Sequence, residues 1–152
     1  MPISYDQNML REIIMDNYQN PRNFKEVDDK DYITIHMDHS DNCIDDIYVQ
    51  VKIENDKIVS CFWHGKACAI STASTSIMTE LVIGKTIEEA KKIMAEFDKM
   101  MDNKEFDSDL LEDAVCFINT YRQPSRINCA TIGWRGLDEA FKEVEKEEKN
   151  GK

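Results

Sequence analysis

Residues 46–72 read DIYVQVKIENDKIVSCFWHGKACAIST, and the fold follows from how the period of this stretch changes. From 46 to 54, Ile47, Val49, Val51 and Ile53 alternate with Tyr48, Gln50 and Lys52, the two-residue repeat of a strand with one buried face. Asn55-Asp56 reads as a hairpin turn, and residues 57–64 as the returning strand. Strands joined this tightly run antiparallel. The chain then turns at Gly65-Lys66-Ala67-Cys68, after which Ile70, Ala73, Ile77 and Leu81 recur at helical spacing. Cys68 thus stands at the opening of a helix, where free backbone N–H groups and the helix dipole favour a thiolate.

Outward from this stretch, Tyr32, Ile33 and Ile35 mark a further strand over 31–38, which completes a three-stranded meander. Tyr5, Met9 and Ile13, with Leu10 and Ile14, predict an amphipathic helix over 4–19, stopped by Asn20-Pro21-Arg22-Asn23. Downstream, Gly84 ends the helix that follows Cys68. Thr86 caps another, with Glu88 and Glu89 in its first turn and Ile87, Ala90, Ile93, Phe97 and Met100 as its apolar stripe. After a polar break over 102–107, Leu110, Leu111, Ala114, Phe117 and Ile118 predict a shorter helix. Asn128 is the expected N-cap of a last helix opening at Cys129, with Ala130, Trp134, Leu137, Phe141 and Val144 on its apolar face. Strands first and helices afterwards predict an α+β fold, a three-stranded antiparallel sheet with helices packed on one face. The expected organisation is one domain over 1–152, with 143–152 a frayed charged tail.

The net charge of −11 leaves no basic surface to neutralise phosphates, which argues against a nucleic-acid partner. The longest apolar run, 114–118, is far too short to span a membrane, and the polar N-terminus has no apolar signal core. The five cysteines cannot all pair. A cytoplasmic, reducing location is expected, where spaced cysteines serve as ligands or catalysts.

Cys61, inside a strand, and Cys116, inside an apolar helical run, read as small buried hydrophobes. Cys43, Cys68 and Cys129 differ because each lies at an element boundary. Three thiolates suit zinc or iron, and a closed tetrahedral site needs a fourth ligand. Asp45 lies two residues after Cys43, on the same side of an extended segment; Asp41 and Asp46 are the other carboxylates within reach. Such a site is anionic, and Lys66 and Arg126 are the nearby cations in sequence. His64 is a candidate base if Cys68 or Cys129 acts as a nucleophile. There is no C-x-x-C pair, phosphate loop, dinucleotide fingerprint or serine triad.

Together these segments resemble the U-type iron–sulfur cluster assembly family, which includes IscU, the N-terminal part of NifU and, nearest in pattern, the SufU branch. Asn20-Pro21-Arg22-Asn23 matches the family's N-P-R-N, and Cys43-Ile44-Asp45 its C-G-D. Gly65 to Ser71 matches G-x-G-C-A-I-S, and Pro124 to Ala130 matches P-x-R-x-x-C-A. The long interval between Cys68 and Cys129 and the absence of an L-P-P-V-K motif resemble SufU. So does Asn128, which stands where IscU has histidine. Ile44 and Ala67 replace family glycines. The resemblance implies Zn2+ held by Cys43, Asp45, Cys68 and Cys129, with Cys43 accepting persulfide sulfur from a SufS-like cysteine desulfurase. Arg126 would stabilise the anionic sulfurs, and downstream iron–sulfur assembly or acceptor proteins would receive the product. The second expectation is an IscU-like scaffold that builds a labile [2Fe-2S] cluster on the same four groups. Against thiolates the hard carboxylate is the ligand expected to leave first.

Overall fold

The computed structural model describes residues 5–38 and 44–149. Helix α1 (Gln7–Gln19) opens at Asp6, whose carboxylate accepts the Asn8 N–H at 2.9 Å, and ends where Pro21 cannot continue it. Three antiparallel strands follow in sequence order: β1 (Ile33–Asp38), β2 (Asp46–Glu54) and β3 (Lys57–Lys66). Asn55 and Asp56 both take positive φ (51° and 66°), the mirror-image turn whose twist matches the flanking strands. The expected meander is therefore present.

Its alternation sorts the two faces. Ile47, Val49 and Val51 are fully buried beneath helix α5 (Pro124–Lys149), which lies across β1 and β2. The approach is close at Gly136, where an added Cβ would stand 3.0 Å from Val49 and 3.1 Å from Met37. On the opposite face Gln50 is covered by the loop before β1: its Oε1 accepts the Val27 N–H and its Nε2 donates to Val27 O, both at 2.8 Å. Along the side of β3 the Asn-Pro-Arg-Asn segment runs parallel. Trp63 N donates to Asn23 O at 3.0 Å and Lys25 N to Trp63 O at 2.9 Å.

Helix α2 (Ala69–Val82) is buried on nearly every side, between α1 and α5. Its hydroxyls are consequently paired within the protein. Ser76 donates to Asn17 Oδ1 (2.8 Å) and accepts the Arg22 N–H (2.8 Å), while Ser74 donates to the Ala130 carbonyl (2.5 Å). Helix α3 (Ile87–Met101) carries the expected stripe, all buried, behind a complete capping box between Thr86 and Glu89. Phe97 stacks on Trp134 of α5 with centroids 4.1 Å apart.

Two expectations need correction. The run from Leu110 to Ile118 is not one helix: a single turn, α4 (Ser108–Leu111), gives way to 3-10 turns at Glu112–Phe117 and Thr120–Arg122. Glu112 takes φ 46° and ψ −123°, a conformation that interrupts the α-helical ladder. The last helix also opens earlier than Asn128. It begins at Pro124, whose missing N–H costs nothing in a first turn, and Gln123 O accepts the N–H groups of Arg126 (2.8 Å) and Ile127 (3.2 Å). Cys129 therefore sits inside α5, not at its mouth. The same helix continues to Lys149, through the charged segment expected to fray.

Candidate metal centre

Three segments deliver the donor atoms. Asp45 is the residue before β2, Cys68 is the N-cap of α2, and Cys129 lies in the second turn of α5. Gly65 sets the approach. Its φ is 122°, and a Cβ there would collide with the carbonyl oxygen of Asp46, so only glycine lets the end of β3 lie this close to β2. The chain then bends through Lys66 and Ala67 into Cys68, whose Sγ accepts the Ser71 N–H at 3.5 Å.

One carboxylate oxygen of Asp45 and the sulfurs of Cys68 and Cys129 lie within 4.8 Å of one another. Asp45 is 2% exposed and Cys129 8% exposed, while Cys68 is half-buried. A carboxylate and two thiols of this reach and burial suit a small divalent cation with mixed oxygen and sulfur ligands. Asp45 is held on both oxygens: Oδ1 accepts the Cys68 N–H at 2.8 Å, and Oδ2 accepts the Ser71 hydroxyl. Ser71 Oγ also lies 3.3 Å from Cys68 Sγ.

The other candidates fall elsewhere. Cys43 and Asp41 lie outside the described residues. Asp46 points to the outer face, where its Oδ1 meets His36 Nε2 at 2.5 Å. His64 stacks on Tyr48 (4.8 Å), which stacks in turn on His36 (4.5 Å); the Nδ1 of His64 is buried and has no hydrogen-bond partner among the described residues. Lys66 is an exposed cation at the end of β3, paired across the sheet with Asp46. Arg126, exposed on the first turns of α5, lines a cavity of about 190 Å³ with Arg11, Ile70, Cys116 and Gln123. Cys61 and Cys116 are buried, as expected of structural cysteines, and burial pushes the Cys61 thiol up to about 12. Burial raises the Cys116 thiol too, and the nearby Asp113 charge adds to the effect.

Ser71 and Ser74 were not singled out by sequence reasoning. Ser71 had one local signal, its position three residues after an N-capping cysteine. Ser74 had none, because its partner is 56 residues away.

The family description "NifU-like N terminal domain" matches residues 9–150 of this sequence. The chain belongs to the NifU-like N-terminal domain family. The zinc-dependent sulfurtransferase SufU of Bacillus subtilis is 37% identical over 141 residues, covering 92% of each chain. The iron–sulfur cluster assembly scaffold protein IscU of Streptococcus pyogenes is 32% identical over 143 residues, covering 93% of this chain and 88% of that one. The crystal structure of SufU from Fervidobacterium islandicum superposes with a TM-score of 0.72 at 32% identity, covering 88% of this chain and 97% of that one. No helix among the described residues is long and apolar enough to cross a membrane.

Proposed function

We propose that the chain is a zinc-bound sulfur acceptor in iron–sulfur cluster assembly, taking persulfide sulfur from a cysteine desulfurase and relaying it to downstream assembly or acceptor proteins in the cytoplasm. The observation that carries this reading is the convergence of Asp45, Cys68 and Cys129, three groups remote in sequence, within 4.8 Å. Cys43 is the fourth ligand, two residues from Asp45 on the same segment. When bound, zinc would keep its cysteine ligands deprotonated and would add no redox chemistry of its own.

Cys43 is the acceptor. Its thiolate attacks the outer sulfur of the desulfurase persulfide, a new S–S bond forms on Cys43, the old S–S bond breaks, and the desulfurase cysteine leaves as a thiolate. No oxidant or reductant is consumed. Asp45, Cys68 and Cys129 hold the centre during this exchange, and the Arg126 guanidinium on α5 offsets the anionic charge of the sulfurs.

The test is persulfide transfer from the cognate desulfurase to the wild type, Cys43→Ser and Asp45→Ala, with metal content measured for each. Cys43→Ser should abolish transfer, and Asp45→Ala should lower zinc content. Unchanged transfer in Cys43→Ser would move the acceptor role to another thiol. A second reading, a scaffold for a labile [2Fe-2S] cluster on the same four groups, is favoured by the likeness to IscU proteins. It predicts a brown, chelator-sensitive protein in place of stoichiometric zinc.

A further inference from the structure

A carboxylate among thiolate ligands is ordinarily the one that leaves, because it is hard and swings out to water. The surroundings of Asp45 oppose both. The residue is 2% exposed, so swinging out to water would first require its packing to open. Its two oxygens are engaged by two donors from the first turn of α2, the Cys68 N–H and the Ser71 hydroxyl. Ser71 is itself fully buried and touches Cys68 Sγ, so the hydroxyl sits between two of the donor groups.

We infer that Ser71 is a positioning residue that fixes the Asp45 carboxylate in place as a metal ligand. The inference rests on the zinc reading above. Ser71 touches no substrate; it acts through Asp45 by locking the carboxylate to the same helical turn that presents Cys68. Hydrogen bonds that orient a metal ligand from outside its coordination sphere typically change metal affinity 10- to 100-fold when removed. A serine that merely filled its place in a buried helix would leave metal affinity alone.

The test uses the full chain, stripped of metal and titrated with zinc against a competing chelator, followed by the rate of zinc loss to excess chelator. Ser71→Ala should weaken zinc about 10- to 100-fold and speed its loss. Alanine is smaller and a better helix former than serine, so the variant is expected to fold. Ser71→Thr, which keeps the hydroxyl, should bind zinc more tightly than Ser71→Ala. In an Asp45→Ala background, Ser71→Ala should change nothing further, since the group through which it acts is gone. Unchanged zinc affinity and release in Ser71→Ala, with the wild type binding zinc, would overturn this inference and leave the zinc reading standing. An equal loss in the Asp45→Ala background would also overturn it. A wild type that binds no zinc would overturn both.

Discussion

The Ser74 hydroxyl of α2 donates to the backbone carbonyl of Ala130 in α5, at 2.5 Å, one residue beyond Cys129. The same oxygen accepts the Trp134 indole N–H at 2.9 Å. One buried side chain thus ties the helix that presents Cys68 to the helix that presents Cys129. Replacing it with alanine leaves a carbonyl and an indole N–H buried without that partner. Ser74→Ala should destabilise the chain by about 1–3 kcal/mol, read as a lower urea midpoint of the metal-free protein. Zinc affinity should fall with it, because the two sulfurs lose their common tether.

The same helix pair crosses closely at Gly133. A Cβ there would stand 2.5 Å from Thr75 Oγ1 and 3.1 Å from Thr75 Cβ, so the crossing has no room for a methyl group. Gly133→Ala should cost about 1–3 kcal/mol by overpacking, despite alanine's better helix propensity. Thr75→Ala in the same chain should recover part of the loss, checked by denaturant unfolding of the four variants of the cycle.

Away from the centre, Thr86→Ala removes the capping box of α3. It should cost about 1 kcal/mol of stability and leave zinc binding unchanged. A shift in zinc affinity would mean that α3 is coupled to the metal site, against its placement in the fold.

Cys61 supplies a pH dependence. The folded chain holds its proton up to about 12, from an ordinary value of 9.0, because burial disfavours the thiolate. A raised acid pKa in the folded state stabilises below the unfolded value and loses that contribution as pH rises toward the folded value. Stability should therefore be insensitive to this group below pH 9.0 and decline between 9.0 and about 12. The decline attributable to this thiol should be absent in Cys61→Ala, measured by urea unfolding across that range. In the native protein at neutral pH, Cys61 should also resist alkylation.

What the sequence disclosed depended on how local the cause was. The β2 alternation, the Asn55-Asp56 turn and the Thr86–Glu89 box each carry their physics within a few residues, and each stands where expected. The start of α5 was misplaced because a polar residue before an apolar stripe looks the same at a cap and on an exposed helical face. The bonds from Arg126 and Ile127 to Gln123 O decided otherwise. The break at Glu112 was unreadable, since glutamate gives no sign of a left-handed backbone. At the centre, Asp45, Cys68 and Cys129 were legible as ligand chemistry. Ser71 was marked only by its place three residues after the N-capping Cys68, and Ser74 by nothing local, because its partner lies on another helix.

The Asn23–Lys25 segment has a consequence for how these chains meet one another. By bonding to Trp63 on both its N–H and its carbonyl side, it occupies part of the outer hydrogen-bonding rim of β3. Among the described residues, the opposite rim of the sheet is β1, which pairs with no strand but β2. Exposed strand rims are templates for intermolecular pairing. Strand-by-strand self-association would therefore start along Ile33–Asp38, and charged substitutions that suppress aggregation should be placed there.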